Sequence, residues 1–127
     1  MKCYGFTIRL KDGSAVAPYK AYQRKAWPEI VAPGGALDTI GVRKIQIFYI
    51  GPLTLFMYVE AEDEFEPVRD FARALELHPR VKEWDDIMHT QYLVRVEGND
   101  GPMNWAVMER IHSVDHTGGL SDLENQD

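Results

Sequence analysis

The runs Ile45-Gln-Ile-Phe-Tyr-Ile50 and Leu53-Thr-Leu-Phe-Met-Tyr-Val59, parted only by Gly51-Pro52, decide the fold. Both are dominated by β-branched and aromatic residues, and a break of Gly and Pro between two such runs predicts an antiparallel hairpin. Large side chains stand at successive positions, Phe48 beside Tyr49 and Phe56 beside Met57, so both faces of the sheet carry apolar surface. Helices of the same chain can cover one face. A second subunit is the expected cover for the other.

Toward the N-terminus, Tyr4-Gly-Phe-Thr-Ile-Arg-Leu10 alternates larger apolar with smaller or polar side chains, as a half-buried strand does, and Lys11-Asp12-Gly13-Ser14 turns the chain. From Ala15 to about Val31 the residues Val16, Tyr19, Tyr22, Ala26, Trp27 and Ile30 recur at three- and four-residue steps, which predicts one helix. Pro18 falls near its first turn, Pro28-Glu29 is expected to kink it, and Pro33-Gly34-Gly35 stops it. Toward the C-terminus, Phe65, Val68, Phe71, Ala72 and Leu75 predict a second helix over residues 63–77, ending before Pro79. Val81, Trp84, Ile87 and Met88 suggest a further short helical piece, residues 98–102 a loop, and Trp105-Ala-Val-Met-Glu-Arg-Ile-His112 the last strand. Strand, helix, strand, strand, helix, strand is the ferredoxin-like βαββαβ order of an α+β protein. With the second sheet face covered by another copy, it becomes a dimeric α+β barrel, so a homodimer is expected.

The 127 residues, 45% of them hydrophobic, suffice for a single domain, read here as residues 1–116 with a mobile acidic tail over 117–127. A formal charge of -6 argues against nucleic acid as a partner. Apolar stretches are strand-sized and broken by charges, so no membrane association is expected and the cytoplasm is the expected location. One cysteine, Cys3, and four scattered histidines make no metal-ligand spacing. No metal or organic cofactor is expected.

The most informative stretch for function is Tyr19-Lys-Ala-Tyr-Gln-Arg-Lys-Ala-Trp-Pro-Glu29, in which helical spacing sets Tyr19, Gln23 and Trp27 along one stripe. Together with His78-Pro-Arg-Val-Lys-Glu-Trp-Asp-Asp-Ile-Met88 and Trp105-Ala-Val-Met-Glu109, it resembles the L-rhamnose mutarotase family. That family carries a Tyr, a His four residues on and then Trp-Pro-Glu in its first helix, a Pro-x-Val-x-x-Trp-Trp-x-x-Met segment, and a C-terminal Trp-Ala-Pro-Met-Glu. The resemblance runs from about Tyr4 to Asp115. It implies cofactor-free interconversion of the α and β anomers of a deoxy-hexose such as L-rhamnose or L-fucose, by proton transfer to and from the anomeric hydroxyl and the ring oxygen.

Three positions depart from the family pattern. Gln23 stands where the family has its acid/base His, and an amide exchanges no proton near neutral pH. Asp85 replaces the second Trp of the tandem, and His112 is displaced by one position from the family's C-terminal His. If the sugar chemistry is kept, a relocated acid/base is needed, for which Tyr19, Asp85, Asp86 and His89 are candidates; Tyr19, Asp85 and His89 are taken as the catalytic set. Gln23, Trp27, Trp84, Met88 and Tyr22 are the expected substrate-binding residues. The alternatives are an isomerase or cyclase acting on a non-sugar ring, and a non-catalytic ligand-binding dimer module. An ionisable group with a displaced pKa inside the pocket favours an enzyme, whereas a pocket lined by neutral groups alone favours a binding module.

Overall fold

The computed structural model describes residues 1–117; the tail expected from Thr117 onward lies, but for that first residue, outside them. The hairpin forms as expected: β2 (Val42–Ile50) and β3 (Thr54–Ala61) pair antiparallel, with Ile45 opposite Val59 and Ile47 opposite Met57. β1 (Lys2–Leu10) lies on the other side of β3, with Phe6 opposite Met57 and Ile8 opposite Leu55. Alternation along these strands then sorts the side chains. Tyr4, Phe6, Ile8 and Leu10 share the inner face with Leu55, Met57 and Val59, and Phe6, Ile8 and Val59 are fully buried there.

The edge beyond β1 is where the chain departs from the expected single last strand. Two short pieces, β4 (Leu93–Val94) and β5 (Ala106–Met108), both pair antiparallel with β1, the first opposite Leu10 and Arg9 and the second opposite residues 5–7. Loop 95–105 separates them, and its Gly and Pro residues have no strand propensity. The order β2-β3-β1-β4, with β5 also on β1, is an α+β arrangement consistent with a ferredoxin-like half-barrel. Strand pairing ends at Met108, so His112 lies past the sheet and is exposed.

The helix expected over residues 15–31 is two helices. A 3-10 turn (Gly13–Ala15) leads into α1 (Val16–Arg24), and α2 (Pro28–Val31) follows after a break. Pro28 has no N–H to give to the carbonyl four residues back, and it drives the preceding residue out of the helical region. Trp27 accordingly takes φ -75°, ψ 137°, and Pro28 opens the second helix as its first residue. A further turn of helix, α3 (Ala36–Thr39), not foreseen from the sequence, follows Gly34 at φ 81°, where Asp38 accepts the Gly34 N–H at 2.7 Å.

α4 (Pro67–Ala74) starts four residues later than the expected start at residue 63. The Glu66 carboxylate caps it, accepting the Val68 and Arg69 N–H groups, while Asp70 reaches back to accept the Glu66 N–H at 2.8 Å. Three acids ahead of it are engaged in ion pairs instead: Glu60 with Lys44, Glu62 with Arg43 and Asp63 with the N-terminal amine. α5 (Pro79–Ile87) is capped by His78, whose Nδ1 accepts the Arg80 N–H at 3.0 Å, and it runs into a π-helical turn (Met88–Tyr92). No helix among the described residues is long and apolar enough to cross a membrane.

Candidate functional site

Between the inner sheet face and the helices lies a cavity of about 410 Å³, mostly apolar, with Ile45, Ile47 and Met57 on its floor. Small-molecule sites run from about 300 to 1,000 Å³, so this one suits a single small ring. Its polar side chains are few: Tyr19 and Gln23 from α1, Asp85 from α5, His89 from the π-helical turn, and Asn104 from the loop before β5.

Tyr19 and Gln23 are one helical turn apart, and the Gln23 amide donates to the Tyr19 hydroxyl oxygen at 3.1 Å. Tyr19 is 3% exposed. Burial disfavours a phenolate, the Gln23 bond offsets this only partly, and the phenol is pushed up to about 12. It therefore stays protonated at neutral pH, and because its oxygen already accepts, its own O–H is what remains for a ligand.

Asp85 and His89 are also one turn apart, and the chain stays helical between them because α5 continues directly into the π-helical turn. The imidazole Nε2 lies 3.5 Å from the carboxylate Oδ1. Burial raises the carboxyl above the usual range, against the pull of His89 and with the help of Asp86. Burial lowers the imidazole, against Asp85 and with the help of the Arg95 cation. The two affinities for a proton are thereby drawn together, which suits a pair that must both accept and return one.

Of the residues singled out in the sequence, Tyr19, Gln23, Trp84, Asp85, Met88 and His89 line this one cavity. Trp27 and Tyr22 stand outside the lining and hold Trp84 in place. Trp84 packs edge-on against Trp27 at 5.2 Å and against Tyr22 at 5.7 Å, and the Arg80 guanidinium stacks 3.6 Å over the Trp27 ring. Asp86 turns away to pair with Lys82 at 2.7 Å. Asn104 and Trp105 line the cavity as well. Trp105 is signalled by the C-terminal motif, whereas nothing in the local pattern around Asn104 distinguishes it from a loop residue.

A family model described as L-rhamnose mutarotase matches residues 3–114, nearly the whole described chain. The chain belongs to the L-rhamnose mutarotase family. A UPF0734 protein of Dictyostelium discoideum is 33% identical over 117 residues, covering 90% of each chain. Within this mutarotase-family fold, the Gln23 amide is paired to Tyr19 and the Asp85 carboxylate to His89. The phenol and amide of the lining stand on α1, and the carboxylate and imidazole on α5 and the turn after it.

Proposed function

We propose that the protein interconverts the anomers of a deoxy-hexose such as L-rhamnose or L-fucose, with the Asp85–His89 pair as its proton carrier. The observation that carries this reading is the placement of that pair, 3.5 Å apart, in the lining of the same cavity as Tyr19 and Trp84. The pair takes the proton of the anomeric hydroxyl. As the C1–O bond of the ring breaks and the C1 carbonyl forms, the pair passes that proton to the ring oxygen, which becomes a hydroxyl. Rotation about the C1–C2 bond presents the other face of the aldehyde, the same hydroxyl adds back and gives its proton to the pair, and the pair delivers it to the new anomeric oxygen. Tyr19, protonated and with its O–H uncommitted, is suited to steady the ring oxygen as charge develops on it.

The neutral Tyr19–Gln23 pair supports the runner-up, a non-catalytic binding module, because it replaces the family's acid/base His with groups that only hydrogen-bond. The two readings part on His89→Gln. Under the first, the exchange rate of L-rhamnose or L-fucose anomers, read by saturation-transfer NMR, falls about a hundredfold or more on this substitution. Under the second, the parent chain binds sugar without accelerating exchange at all.

The same reading includes a second copy on the outer sheet face. Phe48 and Ile50 of β2 are 54% and 69% exposed there, and Phe48 stacks on Phe56 at 6.0 Å, an apolar surface uncovered by this chain's helices.

A further inference from the structure

Loop 95–105, which splits the last strand in two, is organised around one cation. The Arg95 guanidinium donates from Nε to the Asn104 side-chain oxygen at 3.0 Å, and from one Nη to the Gly101 and Asn99 carbonyls at 2.6 and 3.3 Å. Asn99 completes the knot, donating its amide to the Met103 and Asn104 carbonyls, both at 3.0 Å, and accepting the Gly101 N–H. These bonds tie the loop together, and Pro102, Met103 and Asn104 close one side of the cavity.

A guanidinium only donates, so the atom of Asn104 facing Arg95 has to be the amide oxygen. The two ends of the amide are thereby told apart. Asn104 lines the cavity at an exposed position on its rim, its oxygen is committed, and its Nδ2 has no hydrogen-bond partner among the described residues. We propose that Asn104 is a ligand-contacting hydrogen-bond donor of this cavity, and that Arg95 is the positioning residue that turns its NH2 group to the ligand. The inference rests on the reading of the cavity as a small-sugar site and adds to it a donor on the side away from α1. Arg95 has a second reach into the site, since its charge also disfavours the imidazolium of His89 alongside the burial of that ring. The other charged group facing that imidazole is Asp85.

The test is a double-mutant cycle on the full chain by ¹⁵N-resolved NMR, with L-rhamnose and L-fucose as probes and the side-chain NH2 signals of Asn104 as reporter. In the parent chain those signals shift as sugar is added. Arg95→Met and Asn104→Ala each weaken sugar binding about tenfold, and the double variant is no weaker than either. Without sugar, Arg95→Met moves the Asn104 NH2 signals and raises the pH at which His89 takes up its proton, neither of which follows from general loosening of a surface loop. Sugar-dependent shifts at Tyr19 and His89 that leave Asn104 unmoved, or single effects that add in the double variant, overturn the inference. Should neither sugar perturb any cavity residue, the sugar reading itself falls. The assignment of Asn104 as a ligand contact falls with it, and the sugar-free response of Asn104 to Arg95→Met then reports only whether Arg95 sets that amide.

Discussion

Asp85 and His89 face each other across 3.5 Å, and burial acts on them in opposite directions, raising the carboxyl and lowering the imidazole. With the imidazole held below its ordinary 6.5, the pair stays in its proton-accepting form at pH values where a free histidine is already half protonated. The rate of anomer exchange is therefore expected to fall on acidification with a midpoint below 6.5. A pH profile of exchange rate in the parent chain checks this; a fall centred at 6.5 or above contradicts it. Tyr19 belongs to the same scale. Because its phenol lies at about 12, Tyr19→Phe should leave the shape of that profile unchanged while lowering the rate about tenfold, the effect of losing one hydrogen bond that strengthens toward the transition state.

At the scale of elements, the cap of α4 ties a buried charge to the fold. Asp70 is 2% exposed, accepts the Glu66 N–H, and is flanked by Arg69 at 2.8 Å and Arg73 at 3.2 Å. The Arg69 bond leads in holding its carboxyl well below the usual range, helped by the Glu66 N–H and Arg73. A depressed carboxyl adds stability above its unfolded value of 3.8 and loses it as pH falls through the folded value. Asp70→Asn should thus cost about 1–3 kcal/mol at pH 7, since both arginines reach water and can rehydrate, and the gap to the parent should narrow below about pH 4. Urea melts of the two chains at pH 7 and pH 3.5 measure both quantities.

Elements also show what was legible in the sequence. The β2–β3 hairpin was readable because two strand-like runs meet at Gly51-Pro52, and periodicity marked α4 and α5 because their apolar stripes face one core. The stripe of residues 15–31 misled at Trp27-Pro28: three- and four-residue spacing continues across the break, but backbone sterics before a proline do not allow the helix to continue. The split of the last strand was not readable either, because β4 is two residues long and owes its place to pairing with β1. In the site, Tyr19 with Gln23 followed from four-residue spacing. Asp85 and His89 were singled out separately, and their pairing was not readable because it needs the chain to stay helical past Ile87. Asn104 was not readable at all, because its placement depends on a loop tied by Arg95, a contact nine residues away in sequence.

For the whole molecule, the question left by the inner face is what covers the outer one. Lone apolar residues on a surface are ordinary, but Phe48, Phe56 and Ile50 on neighbouring strands form a contiguous patch. A homodimer through this face is expected: light scattering behind size exclusion should give twice the 14.6 kDa chain mass, and Phe48→Glu with Ile50→Lys should give one. A monomeric parent chain across the micromolar range removes the dimer while leaving the cavity, which one chain forms by itself. The proton-carrier role of the Asp85–His89 pair in that cavity is put to the test by saturation-transfer NMR of L-rhamnose and L-fucose anomer exchange, with parent chain and Asp85→Asn side by side. Acceleration by the parent and loss of about a hundredfold or more in the variant are expected. No acceleration with either sugar, or undiminished acceleration by Asp85→Asn, contradicts it.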